Sequence, residues 1–182
     1  FQENAAPEQS FDAEKAVNDS LKIVRQQTDT KHIKKQRHPE ETTIVETPLY
    51  VASFSSIGGG TIKEFLHKEY LSPDSQLVNT IHGSKSENLI VEIKDLNGDP
   101  LPLDGAWELT KKPEKHSHRS PKTLEYRQEV YPNKHIKKSF VFYPDNYSIR
   151  IDIDISEIKN LIYRDIGLSW RGGMASTEKD TA

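Results

Sequence analysis

Five groupings of residues in this chain have types and spacings that could do chemistry. The tightest is Gly58-Gly59-Gly60, entered through Ser55, Ser56 and Ile57. Glycine-rich loops cradle phosphates when they open a helix, within a Lys-Ser/Thr or GxGxxG frame. Here the glycines lead into TIKEF, which reads as a strand, and neither frame is present. A turn or bulge is therefore expected, because glycine takes positive φ without steric cost. Asp152 and Asp154 have the DxD form that can bring two carboxylates onto a divalent cation. His116 and His118 could offer two imidazoles to zinc or copper, but a stable site uses three or four protein ligands. The surrounding Lys111, Lys112, Lys115, Arg119 and Lys122 would repel a cation, so an exposed loop is expected there. Two basic clusters, Lys111 to Lys122 and Lys134, His135, Lys137 and Lys138, could meet phosphates weakly and in a salt-sensitive way. Trp107, Tyr126, Tyr131, Tyr143 and Tyr147 could stack on a sugar, although such aromatics more often fill the core or cover edges. The remaining histidines (His32, His38, His67, His82 and His135) lie in no HExxH or triad-like setting, and no GxSxG occurs. The sequence assigns no catalytic residue, no metal ligand and no cofactor.

The elements that must position these groups are strands. From Thr42 onward, runs rich in β-branched and aromatic residues recur at Thr42 to Glu46, Leu49 to Ser55, Thr61 to Leu71, Gln76 to His82 and Asn88 to Lys94. Asn97-Gly98 is a strong turn signal. A short strand at Trp107 to Thr110 and a polar loop at Lys111 to Pro121 follow. Leu124 to Val130 and Ile136 to Tyr143 then read as a hairpin. The clearest alternation is Ile149, Ile151, Ile153 and Ile155 against Arg150, Asp152, Asp154 and Ser156. Successive strand side chains point to opposite faces, so the isoleucines face a core and the DxD pair faces water. Leu161 to Trp170 supplies a last strand. Nine to eleven short strands without a long helix predict an all-β, antiparallel sandwich.

Residues 1 to 41 differ. Over the first forty, seven acids (Glu3, Glu8, Asp12, Glu14, Asp19, Asp29, Glu40) balance seven bases (Lys15, Lys22, Arg25, Lys31, Lys34, Lys35, Arg37), and apolar positions are few. Such a stretch cannot offset an ordering entropy of roughly 1–2 kcal/mol per residue, so a flexible tether is expected. Ser10 as N-cap, with Ala13, Ala16, Val17, Leu21 and Val24 behind it, allows a transient helix at about 10–25.

Composition narrows the function classes. With 25 Lys+Arg against 28 Asp+Glu the formal charge is −3, too balanced for a dedicated nucleic-acid binder. The absence of cysteine removes disulfides and thiolate chemistry. No run of about 18 apolar residues is long enough to span a bilayer.

The order of elements carries a resemblance. TIVETPLYVASFSS (residues 43–56), the glycine run, TIKEFLHKEY (61–70) and QLVNTI (76–81) resemble the opening of the large periplasmic domain of the YidC/Oxa/Alb family of bacterial membrane protein insertases. KSFVFYPDNYSIR (138–150) and LSWRGG (168–173) resemble later strands of that domain. The glycine run is one residue longer than the usual pair, and Pro48 stands where an acid is common; both fall at bends.

The resemblance implies a β-supersandwich, similar to galactose mutarotase, over residues 42–182, with its C-terminal side truncated. It implies an inner-membrane protein whose present segment faces the periplasm. Partners would be Sec translocon components and nascent membrane proteins. The expected task is docking and spacing, without catalysis. The mutarotase-like fold raises an alternative: a carbohydrate-binding or aldose-epimerase-like protein. An epimerase would need His116, His118 or His135 to converge with a carboxylate in a cleft.

Overall fold

The structure, a computed structural model, describes residues 38–81, 87–114 and 119–172. The helix expected at about 10–25, and His116 with His118, lie outside the described residues. Those residues form ten strands: β1 (Thr42–Glu46), β2 (Tyr50–Ser55), β3 (Thr61–Leu71), β4 (Leu77–Asn79), β5 (Asn88–Asp95), β6 (Glu108–Lys111), β7 (Lys122–Tyr131), β8 (Lys134–Phe142), β9 (Ile149–Asp154) and β10 (Ile162–Trp170). Every pairing is antiparallel. One sheet runs β1-β2-β3-β4, another runs β6-β7-β8-β9, and β5 pairs with β10.

Period-two burial builds the interior. On β7, Leu124, Tyr126 and Val130 point inward; on β8, Ile136, Phe140 and Phe142 do the same. The two strands are joined across Pro132 and Asn133, whose φ of 58° asparagine tolerates better than a branched residue would. Phe54 of β2 meets Phe140 at 5.0 Å and Phe142 at 5.3 Å between ring centroids. These rings close the two four-stranded sheets face to face, so the expected sandwich is what forms. Burying each such ring contributes roughly 1.5–3 kcal/mol.

The isoleucine ladder lies on β9, at the edge of its sheet. Ile149, Ile151 and Ile153 are half-buried against the core, while Arg150, Asp152 and Asp154 face solvent. An edge strand has a neighbour on one side only, which is why the ladder is covered by halves.

The sheets are also joined without a ladder. Asn88, fully buried at the start of β5, accepts a hydrogen bond from Ile62 N at 2.8 Å and donates one to Ile62 O at 3.0 Å. Its amide thus stands in for the strand neighbour that β3 lacks at that point. The chain before β1 is tied down as well: Ser55 Oγ donates to Glu40 Oε1 at 2.5 Å, and Glu41 N donates to Ser56 Oγ at 2.9 Å.

Candidate functional site

The glycine run forms the turn between β2 and β3. Gly58, Gly59 and Gly60 all have positive φ, of 60°, 67° and 109°. A Cβ on Gly59 would sit 2.6 Å from the indole of Trp107, and the space beside Gly60 is filled by Phe140. The run is a tightly packed corner, as expected of a turn, and it opens a strand instead of a helix.

Beneath this corner lies a group that sequence reasoning misplaced. Lys138, one of the cluster that could meet phosphates weakly, is fully buried on the inner face of β8. Its Nζ donates to Gly58 O at 3.2 Å and to Leu89 O, and lies 5.2 Å from the Phe140 ring centroid. No ion-pair partner for it occurs among the described residues. Burial lowers its pKa from 10.5 to about 7, because the charged amine has lost its hydration. Lys122 is likewise buried, with Nζ donating to Glu46 O at 2.6 Å. Neither amine is therefore available to the weak phosphate contact that the two basic clusters allow in the sequence. The signal was present: Lys138 is in phase with Ile136, Phe140 and Phe142, and Lys122 with Leu124 and Tyr126.

On the other side of the corner, β5 and β10 border a cleft of about 1050 Å³. Ile57, Ile90, Leu101 and Leu103 give it apolar surface, and Glu92, Lys94, Asp165 and Arg171 give it charge. Arg171 is held by Glu92, with Nη2 to Oε1 at 2.6 Å. A hydrogen bond from Ser169, and after it the Arg171 contact, keep the Glu92 carboxyl below its ordinary range. Gly167 faces Glu92 across the pair, where an added Cβ would make ordinary van der Waals contact with the Glu92 stem at 3.4 Å.

The sugar-stacking platform is dispersed. Trp107, Tyr126 and Tyr131 are buried, and the Trp107 indole donates to Leu103 O at 2.9 Å. Tyr147 is half-buried, in a ring cluster with Tyr50 at 6.0 Å and His67 at 5.2 Å. Burial pushes the Tyr50 hydroxyl up to about 12 and the His67 imidazole down.

The Asp152–Asp154 pair is divided between local partners. Asp152 accepts from Arg150 Nε at 2.9 Å, and Asp154 accepts from Ser156 N at 2.9 Å. His135 does meet a carboxylate: its Nδ1 is 3.0 Å from Glu157 Oε2, and its backbone N–H donates to the same oxygen at 2.8 Å. The backbone bond is the larger cause that holds the Glu157 carboxyl below its usual range. The pair sits at the start of β8 with Glu157 in solvent and borders no part of the cleft. Among the described residues no group of three acidic, histidine or cysteine side chains could hold a metal, and no helix is long and apolar enough to cross a membrane.

Comparison with curated proteins and with solved structures returned no match. The family model for the YidC periplasmic domain matches residues 42–160, which span β1 through β9. That stretch contains the segments at 43–56, 61–70 and 138–150 on which the resemblance rested, now seen as β1–β2, β3 and β8–β9 of one antiparallel sandwich. With the match running over most of the chain, the protein belongs to the YidC periplasmic domain family and is a segment of an insertase-associated inner-membrane protein.

Proposed function

We propose that this domain serves the membrane insertase as a docking and spacing module on the periplasmic side, with no bond-making chemistry of its own. Its partners are Sec translocon components and nascent membrane proteins. The observation that carries this reading is the family match over residues 42–160. The same reading takes residues 42–182 as one domain and residues 1–41 as its tether. It assigns Ile166, Leu168 and Trp170, which are exposed on the core-facing side of β10, to strands that complete the sandwich.

The test is site-specific photo-crosslinking in the whole membrane-bound protein, with the probe at Tyr70, Lys94 or Tyr163. Adducts to translocon subunits are the expected result. Absence of adducts at all three positions, with insertion intact after removal of residues 42–160, overturns the docking role. Turnover of any aldose that disappears in His135→Ala overturns the non-enzymatic part.

The cleft favours a second reading, in which a glycan or an exported peptide lies beside β5 and β10. Titration with oligosaccharides and peptides into the millimolar range, without saturation, would remove it.

A further inference from the structure

Lys138 and the cleft lie on opposite sides of the same two backbone segments. Ile57 and Ile90 line the cleft. Their chain neighbours, Gly58 and Leu89, turn their carbonyls to Lys138 Nζ from the other side. Both neighbours sit in the left-handed region, Gly58 at φ 60° and Leu89 at φ 57°. For leucine that conformation costs about 1–2 kcal/mol, so something must hold it. The two segments also touch each other, since Ile90 Cδ1 fills the space a Cβ on Gly58 would take. One amine therefore ties together the pieces of backbone that carry two apolar residues of the cleft.

We propose that Lys138 is a protonation-sensitive latch beneath the cleft: its charged form holds the Gly58 and Leu89 carbonyls together and fixes the cleft wall at Ile57 and Ile90, and its neutral form relaxes them.

The chemistry follows from counting donors. The ammonium has three N–H groups, two for the carbonyls and one for the face of Phe140, and its hydrogen bonds are charge-assisted. The neutral amine keeps two donors, loses the charge assistance, and turns a lone pair toward an electron-rich ring. Desolvation opposes the charged form, and the balance falls near neutrality. The latch is thus closed below about pH 7 and loosened above it.

The groups that face Lys138 do not titrate in that range. From β7 its partner is Tyr126, whose hydroxyl burial pushes up to about 12. From β9 the partner is Ile153. From β5 come Leu89 and the neutral Asn88 amide, and from the glycine corner only backbone. The carboxylate whose charge reaches Tyr126 is Glu41, in the chain before β1.

The test uses the intact 182-residue chain. Trp107 packs on Gly59, next to the latch, and Trp170 is the second tryptophan of two. In Trp170→Phe, emission from Trp107 is expected to titrate with one midpoint near pH 7. Lys138→Met removes that transition, and His67→Gln and His135→Gln leave it. The chain has no cysteine, so a dye on Lys94→Cys reports the cleft alone and is expected to shift with the same midpoint. If Lys138→Met fails to fold, the Lys138 side chain is titrated directly by NMR in the unsubstituted chain. A midpoint at about 10, as for ordinary lysines, overturns the proposal. A midpoint near 7 with no change at either Trp107 or the dye overturns it too.

Discussion

Replacing Gly59 by alanine tests whether the glycine corner is a packed turn, and Gly98 supplies the control. Both residues have positive φ, 67° and 91°. An alanine at either position is forced toward the left-handed region at about 1–2 kcal/mol. At Gly98 that is the whole cost, since nothing lies within 4 Å of the added methyl. At Gly59 the methyl would stand 2.6, 2.7 and 3.0 Å from three carbons of the Trp107 indole. The indole cannot retreat, because it is 2% exposed and its N–H is bound to Leu103 O. Overpacking of this kind adds about 1–3 kcal/mol. Gly59→Ala should therefore cost about 2–5 kcal/mol in total, against about 1–2 for Gly98→Ala. For a domain of this size the first corresponds to a fall of about 10 °C in Tm. Urea unfolding followed by circular dichroism measures both, with equal m-values required for the comparison. Losses that agree within about 0.5 kcal/mol would refute the steric argument, leaving backbone strain as the only term.

Other consequences are simpler to read. Phe140→Ala removes the ring shared by Phe54, Phe142 and Tyr126, and should cost about 3–5 kcal/mol in the same urea assay. Asp152→Asn and Asp154→Asn should each change stability by less than about 0.5 kcal/mol, and calorimetry with manganese or magnesium should give no heat above dilution. Glu157 has a folded pKa below its ordinary value, so the unfolded chain binds the proton more readily in acid. Its stabilisation is complete above the ordinary glutamate range and is lost as pH falls through the folded value. The urea midpoint of the unsubstituted chain should accordingly fall more steeply between about pH 5 and 3 than that of Glu157→Gln.

Strand existence was legible in the sequence because period and turn chemistry agree with each other. Thr61–Leu71 is found with the bounds its composition implies, and the Ile149–Ile155 alternation gives β9 its faces. Strand ends were less legible. Of the run expected from Gln76 to His82, the described residues contribute only Leu77–Asn79 to the sheet; at its end the Asn79 side-chain oxygen, not a ladder carbonyl, accepts from Phe65 N and Ile81 N. The short strand expected from Trp107 starts one residue later, because Trp107 N–H donates instead to Ser56 O at the glycine corner. The cleft was not legible at all. Its walls come from β5 and β10, which are distant in sequence, and no local pattern announces that they pair. Lys138 is illegible for a different reason: its period-two phase points inward while its charge points outward, and sequence alone does not decide between them. A lysine is seldom fully buried without a partner, yet backbone carbonyls are partners that composition does not reveal.

The buried polar side chains of this sandwich are directed largely at backbone atoms. Lys138 serves Gly58 O and Leu89 O, and Lys122 serves Glu46 O. Asn88 serves both backbone atoms of Ile62, Ser55 Oγ accepts from Ile57 N, and Thr61 Oγ1 donates to Ile57 O. Most of these targets are backbone atoms at or near the corner between β2 and β3, while Glu46 O lies at the far end of the β1–β2 pair. Backbone groups in such places cost about 1–3 kcal/mol each when buried without a partner. A polar side chain that satisfies one also holds that stretch of backbone in place. At the corner itself, where three consecutive glycines take positive φ inside the sandwich, these side chains supply partners that a regular ladder would otherwise provide.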